Sequence, residues 1–365
     1  MTVFKNHKML WVIVLLAGIA FFSFCVQAFQ FGWQSPVEVI KSIVLWFRLH
    51  LSHLFGTSAW LHYQELTDAV PLYGSVITRI RITAMTFLCG MIMALSGSVF
   101  QTVFRNPMAA PTMLGVNTGV STGVLILVLQ YGYSAANMMG RKYIYCYIGA
   151  GVMLGIVLLV GKLSSGRKRM SVFDLLIVAS IISSMVSAFT SYYTLTMEND
   201  LMLIYQQILG AMDMDVSGRA FAWLGIFACI GIVPMVLMRF SFNAVSFETD
   251  DSRSLGINVY MMKILTMIFG TILIAAAMVH CGTSGMISLI APFIGRKLCG
   301  ANFKQNFLVT MLMGGSVLML CKALVGLIPF ADMGVPLGTM VNFVMLPFFV
   351  LIMAGFQGAK QAWVE

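Results

Sequence analysis

Hydrophobic residues along this chain fall in long continuous blocks rather than in alternation. Blocks with few or no charges cover residues 9–29, 82–103, 111–131, 143–161, 175–195, 220–238, 259–280, 282–295, 306–331 and 333–358. Most are about 20 residues long, the helix length that crosses about 30 Å of hydrocarbon. A membrane barrel would instead show segments of about ten residues with alternating polarity. Backbone groups in lipid must bond within their own segment, so each block is predicted to be a helix. The expected fold class is an all-α polytopic membrane protein of about ten transmembrane helices, a single transmembrane domain over residues 1–365. The short block at 282–295 and the Gly/Pro-containing block at 111–131 depart furthest from a plain span.

Composition agrees with the pattern. Of 365 residues 59% are hydrophobic and 10% charged, against about 25% charged in a soluble domain. Such a chain cannot furnish a solvated surface. The net charge of +9 suits anionic lipid headgroups and calls for no nucleic acid. An even number of spans puts both termini on one side. With the termini inside, 13 Lys and Arg are cytoplasmic and seven are outside, while Lys263 and Lys322 lie within spans. The positive-inside rule therefore predicts cytoplasmic termini, with the Arg141–Lys142 pair running against it. The block at 9–29 is longer than a signal-peptide core and is followed by no small-residue cleavage site, so it reads as a retained first span.

Polar features then carry the functional reading. Between the first two spans Val37, Ile40, Ile43, Val44, Phe47 and Leu51 recur at helical spacing. They predict an amphipathic helix in the outer interface, serving as a lid or as a contact for a delivery protein. Residues 243–258 form a more polar connector containing Asp250, Asp251, Ser252, Arg253, Leu255 and Gly256. Acids in a first helical turn followed by glycine fit short surface helices, a solvated connector or a docking piece. Lys322 sits mid-span and is expected to face the bundle interior or an aqueous cavity, with a backbone carbonyl or Asp332 as partner. Small-xxx-small pairs at Gly115/Gly119, Gly119/Gly123 and Gly151/Gly155 fit close helix packing or a glycine-walled path.

Catalytic chemistry is missing from the sequence. His50 and His53 are the one close histidine pair and have no further ligand-type neighbours, so no metal site is expected. The seven cysteines contain no CxxC and read as small buried hydrophobes. The stretch 155–163, GIVLLVGKL, has the wrong spacing for a nucleotide loop and lacks Ser or Thr after Lys162. Any ATP hydrolysis must fall to a partner, and no cofactor is implied. An ion-coupled secondary transporter would need carboxylates in mid-span, whereas Asp174, Asp213 and Asp215 lie at block edges.

The most informative stretch is 96–119, SGSVFQTVFRNPMAAPTMLGVNTG, a turn between two spans holding Gln101, Arg105, Asn106, Pro107, Pro111, Gly115 and Gly119. With it stand SRSLGINV at 252–259, GTSGMISLIAPFIGR at 282–296, including Pro292 and Arg296, and the Pro336, Gly338, Pro347 pattern of the last block. These four ordered motifs resemble the FecCD-type permeases of type II ABC importers for ferric siderophores, haem and cobalamin. The likeness runs from about Arg79 to Phe349.

The resemblance implies a bacterial cell-membrane permease that dimerises, as homo- or heterodimer, around a central pathway. It implies two ABC ATPase subunits beneath and an external substrate-binding lipoprotein or periplasmic protein above. It makes 243–258 the ATPase-coupling segment, and Arg79 and Arg81 the candidates for binding-protein contact. A ferric siderophore is the expected cargo, with haem or cobalamin as alternatives. The chain departs from the family where RIRI (79–82) stands for RLPR, where Phe293 follows Pro292, and at Lys322 and Gly326 in the ninth block.

Overall fold

The computed structural model of the chain describes residues 18–19, 41–46, 48, 73–132, 139–165, 172–196, 216–245, 258–300, 303–327 and 335–354. Ten α-helices and one 3-10 turn make up most of these residues. They are α1 (Tyr73–Phe104), the 3-10 turn Pro111–Leu114, α2 (Val116–Tyr131), α3 (Met139–Ser165), α4 (Val172–Thr196) and α5 (Gly218–Leu237). There follow α6 (Arg239–Val245), α7 (Val259–Cys281), α8 (Met286–Cys299), α9 (Phe303–Leu327) and α10 (Leu337–Ala354). Six stretches, within α1, α3, α4, α5, α7 and α9, are long and apolar enough to cross a membrane; α2 and α10 are shorter apolar helices. Nine of the ten expected blocks coincide with these elements. The first, 9–29, lies outside the described residues apart from 18–19. The block at 111–131 is not one helix: Pro111 opens the 3-10 turn, and Gly115 at φ 77 ends it before α2 begins.

Local chemistry sets the helix ends. Ser217 and Asn258 cap α5 and α7, each side chain accepting from a backbone amide of the first turn, those of Ala220 and Met261. Gly132, Gly282 and Gly300 follow α2, α7 and α8 with positive φ, where a glycine has no Cβ to clash. Asn258→Ala is expected to cost about 1 kcal/mol and Asn258→Asp little, measured as thermal stability in detergent.

The bundle is organised around α1. It packs on α7, α8 and α9, while α2 packs on α3 and α4, and α5 on α7. In the membrane-length windows of α1 and α7, 72% of residues are buried, against 17% in α4 and 22% in α5. The first two are therefore interior helices and the last two peripheral. Ile148, Val152, Ile181, Met185, Ile226 and Val233 stay exposed, as lipid-facing side chains do.

Close approach depends on glycine. Gly90 of α1 lies against Gly314 of α9, and Gly119 and Gly123 of α2 lie against Gly149 and Tyr145 of α3, with backbone occupying the space where a Cβ would go. The Gly119/Gly123 pair thus packs helices, as one of its two expected readings required. Gly151 and Gly155 do not: both are exposed with nothing within 4 Å. The amphipathic segment is helical at 41–46, with Ile43 packed on Val76, while Val37, Ile40, Phe47 and Leu51 lie outside the described residues. Ser42 and Leu45 are buried and Val44 is exposed, because Leu45 packs on Tyr73 and Ile77 at the start of α1. Lys322 is half-buried in α9, and Asp332 lies outside the described residues.

Candidate functional site

The turn at 96–119 is assembled where the last two turns of α1 meet α8. Pro292 lies inside α8. A proline has no amide hydrogen, so the carbonyl four residues back, Ser288 O, loses its helical donor. Gly97 of α1 sits directly against that carbonyl; a Cβ there would overlap the Ser288 backbone. One turn further along α1, the buried Gln101 donates from Nε2 to the next carbonyl, Leu289 O, at 2.8 Å. The Ser96 hydroxyl donates to Gly270 O of α7 at 2.9 Å. Three features of α1 within two turns (a hydroxyl, a missing side chain and an amide) therefore join it to α7 and to the proline-containing turn of α8.

Buried charge enters beside this seam. Thr102 donates to Ser98 O at 2.8 Å, and Arg296 of α8 donates to the Thr102 hydroxyl at 3.3 Å. Gly295 presses on Thr310 and Asn306 of α9, and the Thr310 hydroxyl donates to Asn306 Oδ1 at 2.9 Å. Thr102 of α1, the second half of α8 and the start of α9 thus meet at one end of the bundle.

The polar turn follows at once. Asn106 donates its amide to Gln101 O at 3.2 Å, and its Oδ1 accepts from the Met108 amide at 2.9 Å. This side-chain turn is what asparagine supplies readily. Arg105 takes φ 50, the one non-glycine residue with positive φ among the described residues, and donates from Nε to Val245 O of α6 at 2.8 Å. The chain then runs through Pro111 into the 3-10 turn. There Gly115 lies against Ser183 of α4 and Met153 of α3, and Thr112 fills the space beside Gly285 at the start of α8. The turn touches α3, α4, α6 and α8.

Several expected site residues are brought together here: Gln101, Arg105, Asn106, Pro107, Pro111, Gly115, Gly119, Pro292 and Arg296. Pro336 and Gly338 lie at the start of α10, where Pro336 O accepts from the Met340 amide at 3.1 Å. Arg79 and Arg81 sit at the opposite end of α1, the first half-buried and the second exposed. Asp250, Asp251, Ser252, Arg253, Leu255 and Gly256 lie outside the described residues, as do His50 and His53. Among the described residues no group of three His, Cys, Asp or Glu could hold a metal. Two participants escaped the sequence reading: Val245, whose role is its backbone carbonyl, and Ser288, whose role is a carbonyl freed four residues away.

The pattern of the FecCD transport family matches residues 44–355. This chain belongs to the FecCD transport family. FecCD members are permease components of type II ABC importers, transport subunits rather than enzymes. An iron-uptake system permease protein of Bacillus subtilis is 28% identical over 329 residues, covering 87% of this chain and 93% of that one. A vitamin B12 import system permease protein of Citrobacter koseri is 24% identical over 281 residues, covering 75% and 81%. A molybdate import system permease protein of Haemophilus influenzae is 26% identical over 255 residues, covering 68% and 73%. A solved structure, described as an inward-facing metal-chelate type ABC transporter, covers 78% of this chain and 89% of its own. It superposes with a TM-score of 0.66 at 21% identity, so the two share a fold.

Proposed function

We propose that this chain is the permease subunit of an ATP-driven importer that carries a ferric-siderophore complex into the cell. The observation that carries the reading is the FecCD match over 44–355. The polar turn assembled from Gln101, Arg105, Asn106 and Pro107 supports it, as does an iron-uptake relative aligned over 87% of the chain. Two copies, or this chain and a related one, enclose the path between them. Two ABC ATPases bind the cytoplasmic face and an external binding protein delivers the cargo. ATP-driven closure of the ATPases shifts the bundle between outward- and inward-open states, and the chain's own part is mechanical. The segment 243–258 receives the ATPases, while Arg79 and Arg81 meet the binding protein. Haem or cobalamin is the second reading, favoured by the vitamin B12 permease among the relatives.

The test is uptake of radiolabelled ferric siderophores, haem and cobalamin by iron-starved cells with and without the gene. Loss of ferric-siderophore uptake alone supports the first reading; loss of haem or cobalamin uptake alone supports the second. Unchanged uptake of all three, with redundant systems deleted, defeats both. The proposed topology has ten spans with both termini cytoplasmic, in the bacterial cell membrane. Lys162 is exposed near the end of α3. In a Cys229→Ser background, Lys162→Cys is expected to react with a membrane-permeant maleimide and not with an impermeant one added to intact cells. Labelling by the impermeant reagent reverses the orientation.

A further inference from the structure

Two thiols meet in the seam between the interior helices α1 and α7. Cys89 of α1 and Cys281, the last residue of α7, are free, fully buried and within hydrogen-bonding reach of one another. The end of α7 fixes the second thiol. Gly282 takes φ 73, and its amide donates to Met278 O at 2.8 Å, so the helix stops directly after Cys281. Two residues past that glycine, the Ser284 hydroxyl donates to the Met93 sulfur at 3.6 Å. Met93 stands one helical turn after Cys89 on the same face of α1. The chain leaving α7 is thus laid along a sulfur-bearing face of α1.

Thiolate and thioether sulfur are soft donors and select soft cations. Among the described residues no third His, Cys, Asp or Glu completes the pair as a metal-binding group. His280, next to Cys281, packs on Tyr143 of α3 with ring centroids 5.0 Å apart. A tetrahedral ion such as zinc, which needs four ligands, is poorly served. A linear two-coordinate ion needs only the two sulfurs. Charge narrows the choice further. The metal replaces the thiol protons, so a divalent cation on two thiolates is neutral. A monovalent one would leave a negative charge where water is absent, which is strongly unfavourable.

We propose that Cys89 and Cys281 form a two-coordinate site for a soft divalent cation, the mercuric ion, bridging α1 and α7. Two S–H bonds give way to two S–Hg bonds. From mercuric chloride, two protons and two chloride ions leave, and no electron is transferred. Mercuric chloride is itself uncharged and enters apolar surroundings without the cost of a bare ion. Once seated, the ion clamps together the two helices whose membrane-length windows are 72% buried. The site stands apart from the polar turn and goes beyond the permease reading, giving the bundle a soft-metal sensitivity of its own.

The experiment uses the full chain in nanodiscs, reduced with a phosphine, desalted, exposed to mercuric chloride and washed with a millimolar monothiol. The wash strips mercury from single cysteines, while a preformed pair competes through its high effective concentration. Native mass spectrometry is expected to count one mercury per parent chain, carrying no wash thiol. Cys89→Ala and Cys281→Ala are each expected to retain at least about tenfold less. Cys229→Ala, which removes an exposed thiol, is expected to retain as much as the parent. Retention in either of the first two, or its loss in the parent or in Cys229→Ala, overturns the site. Zinc offered in the same way is expected to wash out, and retained zinc overturns the two-coordinate assignment.

Should the alanine variants fail to fold, a second measurement leaves the chain unmutated. X-ray absorption at the mercury edge of the washed parent is expected to show two sulfur neighbours and neither chloride nor oxygen. A single sulfur, or three or more, overturns the proposal. Neither readout involves cargo or ATPase, so a failed uptake assay and a failed metal site are told apart.

Discussion

Gly97→Val is expected to leave almost no folded protein to assay. A side chain at this position meets the Ser288 backbone, with the carbonyl carbon at 2.5 Å and Cα at 2.9 Å from a Cβ. Neither atom can turn aside as the end of a long side chain would. Relief requires α1 and α8 to separate, which breaks the Gln101 bond to Leu289 O and loosens the Arg296 contact with Thr102. Overpacking alone costs about 1–3 kcal/mol, and a buried donor stripped of its acceptor adds about 1–3 kcal/mol. The sum, about 2–6 kcal/mol, is a large share of the whole stability of an ordinary domain, about 5–15 kcal/mol. Gly97→Ala is the milder form and is expected to be visibly destabilised. Fluorescence-detected size exclusion of a tagged chain, with a thermal ramp, reads both. A valine variant that elutes and melts as the parent does would overturn the account of this seam.

Leu255→Asp is expected to remove ATPase association and to bring uptake down to background. In the connector a single leucine–glycine pair follows Asp250, Asp251, Ser252 and Arg253. An apolar residue in so polar a stretch is where a docking partner gains burial. A carboxylate in its place must be desolvated without a counter-charge. A loss of about 2.7 kcal/mol is already a hundredfold in affinity, enough to empty the complex at ordinary concentrations. Gly256→Pro acts by a different route, removing an amide and fixing φ, and is expected to have the same result. Co-purification with tagged ATPase subunits measures association separately from transport. Intact association and uptake in both variants would remove residues 243–258 from the coupling role.

The apolar blocks made nearly all of the described fold readable, because a span is determined by its own length and polarity. What stayed hidden depends on where another helix lies. Gly119 and Gly151 look alike in sequence, yet one meets the backbone of α3 and the other faces open space. Val44 and Leu45 are equally apolar neighbours, and only the position of Tyr73 decides which is buried. The 96–119 turn was legible as a site because Arg-Asn-Pro is costly between two spans. Its construction was not: the groups that complete it are the carbonyls of Val245, Ser288 and Leu289, and a carbonyl is present at every residue. The left-handed backbone of Arg105 gave no warning either, since arginine is not a residue that favours φ 50.

Proline bends in long helices often serve as hinges, because the bond that would resist flexing is missing. At Pro292 the freed carbonyl of Ser288 lies against Gly97, and Gln101 bonds the carbonyl next to it, that of Leu289. A proline so closely backed is expected to act as a rivet rather than a hinge, with α8 staying on α1 and any rocking during transport falling along other borders of the pair.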